Sequence, residues 1–476
     1  MLACAACGGG ETRADPAELD AAGAWPAPNR DVRASRDADT TIDAGNVSRL
    51  ARAWSVPIGA EPRTAGSFAS NPVVLDGTVY VQDLLSNVTA IDAASGRVRW
   101  EHRIDYGNPG PNGVAVGYGH VYAVTDTSVF ALDRRTGKRI WIRRILGAHE
   151  NFVEIAPVVA DGLVYVSTVG YAPGGRGAVY ALDARNGRVR WRFDTIAEAW
   201  RFPDRAGGGG AWFPVSVDEG RVYVGNSNPG PWGGRGAAFP GPARYTDSLI
   251  VLDARRGTLL WYDQVTPHDV RDYDFQASPI LARVGDRDVV FGAGKAGRVI
   301  AWDRASRERL WERPVGLHRN DLGPLPQEES TVCPGLYGGV ETPMAHADGR
   351  LFVPVVDLCV RASVRRYQDL STVDPFAGSG RMVALDDETG EVLWDRRLPL
   401  PVFSCATVAN DLVFTATFDG AIYGLAADDG RILWRAKARA GINACPAVAG
   451  DLLVIGAGVP LGDSSTLEVV AFRLRS

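Results

Sequence analysis

ALDARNGRVRW, from Ala181 to Trp191, is one of seven copies of the pattern that organises this chain. An apolar pair ends in Asp, a Gly follows four residues later, and a Trp follows four after that. The others are AIDAASGRVRW (Ala90 to Trp100), ALDRRTGKRIW (Ala131 to Trp141), VLDARRGTLLW (Val251 to Trp261), AWDRASRERLW (Ala301 to Trp311), ALDDETGEVLW (Ala384 to Trp394) and GLAADDGRILW (Gly424 to Trp434). Arg307 replaces the Gly in one copy, and Ala426 replaces the Asp in another. Each copy reads as strand, tight turn, strand. The Asp accepts local backbone hydrogen bonds, and the Gly takes the positive φ that the turn requires. Upstream of each copy lies a second hairpin, as in NPVVLDGTVYVQ (Asn71 to Gln82), APVVADGLVYVS (Ala156 to Ser167) and CPAVAGDLLVIG (Cys445 to Gly456). Their alternation of Val, Tyr and Leu is strand-like. One repeat is therefore a four-stranded antiparallel sheet.

Eight upstream hairpins are present, but only seven Trp endings follow them. The last repeat stops at LEVVAFRLRS, one strand short, while LARAWSVPI, with Trp54, stands unpaired near the other end. The expected fold is all-β: an eight-bladed β-propeller of four-stranded antiparallel blades. The N-terminal strand around Trp54 joins the last blade and closes the ring, so no long sheet edge is left open. Eight of the thirteen tryptophans are then inter-blade packing and the repeat Asp residues are turn formers. Residues 25–476 form the propeller; residues 1–24 are a leader remnant and linker.

The composition allows a sizeable buried core and excludes a disordered chain: 46% of the 476 residues are hydrophobic and 22% charged. The net charge of −5 gives no support to a general nucleic-acid binder, which would show a basic face, so no nucleic-acid partner is expected. No run of 18 apolar residues exists to span a membrane as a helix. Only Lys138, Lys295 and Lys437 are lysines, which singles out any lysine in a functional position. Cys405 and Cys445 occupy equivalent places in neighbouring repeats, so 405–445 and 333–359 bridges are expected of an exported protein.

Successive repeat tryptophans stand 40 to 50 residues apart, with two exceptions: 70 residues from Trp191 to Trp261 and 83 from Trp311 to Trp394. Long excursions from a compact repeat carry function. The first holds GGGGAWF (Gly207 to Phe213) and VGNSNPGPW (Val224 to Trp232). After it come TPHDVRDYDFQASPIL (Thr266 to Leu281) and GAGKAGRVIAWDR (Gly292 to Arg304).

These four segments, with the blade endings, resemble the eight-bladed quinoprotein dehydrogenases, the PQQ-dependent alcohol dehydrogenase-like family. Its members use pyrroloquinoline quinone (PQQ) and a bound metal. The resemblance runs from Trp25 to the end of the chain. It implies that Trp212 lies flat against the quinone, where an indole offers a broad polarizable face. It makes Asn228 an amide ligand of the cation, its carbonyl oxygen suiting Ca²⁺. Asp272 matches the catalytic Asp, which also faces the metal. Asp274 matches an extra carboxylate that is a metal ligand in lanthanide-using members, so a lanthanide is the alternative to Ca²⁺. Lys295 matches the Lys or Arg that donates to the quinone oxygens. Arg271 stands where Trp is common.

The implied chemistry is oxidation of an alcohol or sugar. The cation acts as a Lewis acid on the quinone carbonyl, Asp272 takes the hydroxyl proton, hydride moves to the quinone, and Lys295 stabilises the developing charge. Electrons then pass to a separate acceptor such as a cytochrome or a quinone, because the CxxC of Cys4 and Cys7 precedes Gly8 and no haem-attachment motif occurs. The small-residue run before Cys7 resembles a bacterial lipoprotein cleavage site. This implies an exported protein in the periplasm or at the cell surface, with a lipid tether; an unstructured terminus is the competing reading.

Three features depart from the family. Many members carry a Glu metal ligand in the third blade, where this chain has VSTVGYAPGGRGAVYALD with Tyr171 near that place and Glu154 as the nearest substitute. Asn112 stands where relatives have an Arg that contacts the cofactor, and an adjacent-cysteine disulfide is absent. A lost carboxylate weakens a Ca²⁺ site, and Asp274 can restore the charge. These departures keep a second reading open, a non-catalytic propeller lipoprotein that binds other proteins, similar to the scaffold of outer-membrane assembly. The readings differ on whether Trp212, Asn228, Asp272 and Lys295 converge at one mouth of the ring.

Overall fold

In the computed structural model the repeat turn forms as its residues dictate. Gly187 N–H donates to Asp183 O at 2.8 Å, and Asp183 Oδ1 accepts from Arg185 N–H at 3.0 Å. Gly187 sits at φ +70°, where a side chain would be strained. The turn also receives the preceding blade. A Cβ on Gly187 would lie 2.5 Å from Cε3 of Trp141, and that indole N–H donates to Ala184 O at 3.1 Å. The same bond joins Trp54 to Ala93 O (3.0 Å), Trp100 to Arg134 O (3.1 Å) and Trp191 to Ala254 O (2.8 Å). It continues from Trp311 to Asp387 O (3.1 Å), Trp394 to Ala427 O (3.0 Å) and Trp434 to Leu50 O (3.1 Å). The copy with Arg307 differs. Arg307 itself adopts φ +68°, and Trp302 on the neighbouring strand donates its N–H to Asp263 Oδ2 at 2.7 Å.

The structure describes residues 23–58, 70–148, 150–170, 174–196, 207–233, 243–368, 370–462 and 466–475. Tyr171 and the leader with Cys4 and Cys7 lie outside them. Among the described residues, seven blades of four successive antiparallel strands follow one another, over residues 73–102, 115–144, 158–194, 216–264, 280–314, 345–398 and 407–437, and an eighth has three successive strands over 447–474. The eighth is completed by Leu50–Pro57, which pairs antiparallel with Glu468–Leu474 in the register Leu50 to Leu474 and Trp54 to Ala471. The ring is thus closed by its N-terminal strand. Both expected disulfides are formed, Cys333–Cys359 with Cα atoms 4.5 Å apart and Cys405–Cys445 with Cα atoms 4.8 Å apart. No helix among the described residues is long and apolar enough to cross a membrane.

Antiparallel strands send alternate connections to opposite faces of the ring. The Asp–Gly turns and the first hairpin turn of each blade share one face; the inter-blade loops and the turns between second and third strands share the other. The segment from Trp25 to Thr41 straps the first face, a feature its sequence did not announce. It bonds to the inner strands of blades one, four, five, six and seven (Trp25 N to Val74 O, Val217 N to Val32 O, Leu281 N to Arg33 O, His346 N to Ser35 O, Val408 N to Arg36 O). Arg36 of this segment is fully buried, its guanidinium donating to Ala406 O, Thr407 Oγ1, Pro446 O, Pro28 O and Asn29 Oδ1.

Gly187→Ala is expected to cost about 2–4 kcal/mol, from left-handed backbone strain plus a displaced indole. Gly77→Ala has the same strain at φ +65° but no atom within 4 Å of a Cβ, and should cost about 1 kcal/mol. Urea unfolding of the two variants checks the gap; equal losses would mean that indole docking contributes nothing.

Candidate functional site

The opposite face holds a cavity of about 470 Å³ lined by Trp212, Asn228, Asp272, Asp274 and Lys295 together. They arrive from four different connections, Asp272 and Asp274 sharing one. Trp212 follows the glycine run, whose residues pack where no side chain fits. A Cβ on Gly208 would overlap Asn228 O, and one on Gly210 would overlap Thr168 O. Gly207–Gly208 pairs with Pro229–Gly230, which sets Trp212 and Asn228 on adjoining backbone. Lys295 occupies the turn between Arg287–Gly294 and Arg298–Asp303.

Asp272 is aimed by its own loop. Asp269 accepts from Arg271 N–H (2.8 Å) and Tyr273 N–H (2.7 Å), bending the chain so that Asp272 stands at φ +66°. The Arg271 guanidinium goes to Gly323 O (2.9 Å), Asn320 O (3.1 Å) and Pro324 O (3.1 Å) rather than to either neighbouring acid. The long excursion of blade six therefore clamps this loop.

The charged groups interlock. Lys295 Nζ lies 2.9 Å from Asp272 Oδ2 and 2.6 Å from Asp274 Oδ2. Asn228 donates through its amide to Asp272 Oδ1 (2.9 Å) and through its backbone N–H to Asp274 Oδ1 (2.7 Å). All four residues are less than 9% exposed, so little water screens them. Burial pushes the Asp272 carboxyl up to about 7, opposed by Lys295 and assisted by Asp274. Burial works to lower Lys295, but Asp272, Asp274 and Glu341 outweigh it and hold the ammonium well above its ordinary value. Glu341 was not singled out in the sequence, although it lies in the longer excursion. Its Oε2 accepts from Gln276 Nε2 at 2.8 Å, and burial raises it to about 8. Asp247, fully buried with both carboxylate oxygens unpaired, is raised well above its usual range by burial and by Asp269, Asp274 and Asp272.

Glu154, the substitute ligand, and Asn112, which stands where relatives have an Arg, are not among the lining residues. Glu154 is buried with Oε2 unpaired, and Asn112 donates to Asp83 O at 2.7 Å. The structure thus brings together the five residues of the four motifs and leaves the proposed Glu154 substitute outside.

Do these residues fit PQQ and a cation? Three buried polar atoms on cavity-lining residues lack partners, Trp212 Nε1, Glu341 Oε1 and Asn443 Oδ1, as expected around a polar planar ligand. Asn228, Asp272 and Asp274 offer only oxygen donors, which suits a hard cation. Among the described residues no three His, Cys, Asp or Glu side chains converge as a ready-made metal cluster; the gap between the two aspartates is spanned by the Lys295 ammonium, which a cation must relieve. On both counts the residues fit.

Comparison with known proteins bears on the family and the fold. Residues 25–312 match the family described as glucose/ethanol/alcohol dehydrogenase, β-propeller domain, and residues 334–476 match the family of the outer membrane protein assembly factor BamB. Quinohemoprotein alcohol dehydrogenase ADH-IIG of Pseudomonas putida is 26% identical over 81% of this chain and 65% of its own length. The quinohemoprotein alcohol dehydrogenase of Comamonas testosteroni is 30% identical over 62% of this chain and 49% of its own length. The chain thus spans less than two thirds of these relatives. In fold, the Comamonas enzyme superimposes with a TM-score of 0.84 at 23% identity, covering 96% of this chain and 81% of that one. A europium-containing methanol dehydrogenase gives 0.82 at 21%, covering 96% and 99%. BamB from Moraxella catarrhalis gives only 0.54 at 13%, covering 89% and 99%. With the dehydrogenase match extending over more than half its length, the chain belongs to the glucose/ethanol/alcohol dehydrogenase β-propeller family.

Proposed function

We propose that the protein is an exported dehydrogenase that oxidises an alcohol or sugar with PQQ and a hard cation, Ca²⁺ or a lanthanide, as resident groups. The observation that carries this reading is the common cavity of Trp212, Asn228, Asp272, Asp274 and Lys295. A protein-binding scaffold has no need of a buried Lys–Asp–Asp cluster beside unpaired polar atoms, so the BamB-like reading of residues 334–476 loses ground.

When bound, PQQ supplies the electrophilic carbonyl that takes hydride, and the cation polarises that carbonyl. Trp212 would support the flat face of the cofactor, while Asn228, Asp272 and Asp274 would hold the cation. Asp272 accepts the hydroxyl proton of the alcohol at a carboxylate oxygen, leaving the substrate as the carbonyl product. Its position beside the Lys295 ammonium and within the cavity places a carboxylate oxygen where it can take that proton. Lys295 keeps its proton and places a fixed positive charge where negative charge develops. Arg271 and Asp269 hold the loop that aims Asp272. Electrons leave to a separate acceptor, a small cytochrome or a quinone, and a lipid tether would keep the protein at the membrane surface.

The test is reconstitution with PQQ and Ca²⁺ or La³⁺, followed by assay on several alcohols with an artificial electron acceptor. Turnover is expected; no turnover and no bound quinone would remove the enzyme reading. Asp272→Asn should lower kcat by about 10²–10⁴-fold. Its melting temperature should hardly change, because Lys295 retains Asp274. A large loss of stability would instead mark Asp272 as structural.

A second prediction concerns protons. In the cation-free protein Asp272 keeps its proton from its ordinary 3.8 up to about 7, whereas the unfolded chain has released it. The folded state therefore binds more protons in that window, and this group's contribution to stability falls as pH rises through it. Cation binding needs the ionised carboxylates. Added Ca²⁺ should raise the melting temperature more at pH 8 than at pH 5.5, and Asp274→Ala should reduce the effect. Equal shifts at both pH values would count against a cation on these carboxylates.

A further inference from the structure

The cavity has two unlike sides. Leu84, Pro109–Pro111 and Trp212 come from blades one to four, and Tyr337, Val373, Pro375, Phe403 and Phe418 come from the connections around blades six and seven. An eight-membered ring sets these two groups across the mouth from each other, with Asp272 and Lys295 between them on blade five's connections. The second side is a wall of rings. Phe403 and Phe418 meet at 5.1 Å between centroids with planes at 69°. Tyr337 stands edge-on to Phe403 at 6.4 Å and 89°. Phe376, 40% exposed, extends the row onto Phe418 at 5.0 Å.

The wall is braced from behind. Cys405, two residues after Phe403, is bridged to Cys445, and Cys333, four residues before Tyr337, is bridged to Cys359. It is mostly carbon. Beyond the Tyr337 phenol, the Thr342 side chain already donates to Ser404 O at 3.1 Å, and Glu341 Oε1 and Asn443 Oδ1 remain as unpartnered acceptors beside the wall. A sugar carries hydroxyls around its whole ring, and each one buried against carbon loses its hydrogen bond to water. A flat apolar ring gains burial and edge-to-face contacts there.

We propose that the Tyr337–Phe403–Phe418 wall is the substrate-specificity subsite and that it selects an alcohol borne on an aromatic ring over a sugar or methanol. The ring rests on the wall and the hydroxyl reaches Asp272. The chemistry rests on the dehydrogenase reading above, whereas the binding does not.

The test therefore has two readouts. With reconstituted holoprotein and an artificial acceptor, kcat/KM for 2-phenylethanol should exceed that for glucose and for methanol by about 100-fold or more, and Phe418→Ala should lower it by about 10-fold. With cofactor-free protein, saturation-transfer NMR should show transfer to the ring protons of 2-phenylethanol, reduced in Phe403→Ala and Phe418→Ala. Phe418→Leu, which keeps volume but removes the ring, should move both readouts the same way by less. Preference for glucose or methanol, or ring signals unchanged in both alanine variants, overturns the proposal. Ring signals that depend on Phe403 and Phe418 without turnover of any alcohol would support the subsite and sink the dehydrogenase reading instead.

Discussion

An indole that lies on the glycine of the next blade, with its N–H on that blade's turn carbonyl, fixes both the spacing and the tilt between neighbours. Seven such bonds run around the ring, the last reaching the N-terminal strand. Each is a neutral hydrogen bond worth about 1 kcal/mol, but the indole's buried area adds to it. The constraint matters because loops separated by over a hundred residues must meet at the axis. An error in blade angle would accumulate around the ring and open the mouth. The strap from Trp25 to Thr41 resists the same distortion from the other face, bonding several inner strands at once.

At the mouth, that rigidity is turned into electrostatics. Lys295, Asp272 and Asp274 are held within hydrogen-bond distance in a buried setting, where interactions between charges are stronger than in water. The cluster carries two formal acids against one base, with Glu341 alongside in a state that burial pushes toward neutral. A divalent or trivalent cation is the natural complement of that excess. The backbone strain at Asp272 is held by Asp269 on one side and by the Arg271 clamp on the other.

Much of this was legible in the residues. The Asp–Gly–Trp period specified the blades, their number and the closure at Trp54, because turn chemistry and indole packing are local and repeat identically. The second role of the repeat glycine, as the floor for an indole, was not legible, since positive φ alone explains a turn glycine. The five cavity residues could be named because they sit in excursions from the period or in segments with a known resemblance. Phe403, Phe418 and Asn443 carried no such signal. They lie in blades of ordinary length, and only the closed ring brings them opposite Trp212. Glu154 was named from proximity in sequence to the missing ligand, and proximity in sequence does not fix whether a buried side chain lines the cavity; this one does not. Arg36 escaped notice because a buried guanidinium satisfied by carbonyls looks, in sequence, like any surface arginine.

The central claim is that one cavity grips a planar quinone against Trp212 beside a cation. Calorimetric titration of PQQ into the protein in excess Ca²⁺ tests it most directly. One site per chain is predicted, with affinity falling about tenfold in Trp212→Ala. Absence of binding, or an affinity indifferent to the loss of that indole, would contradict it.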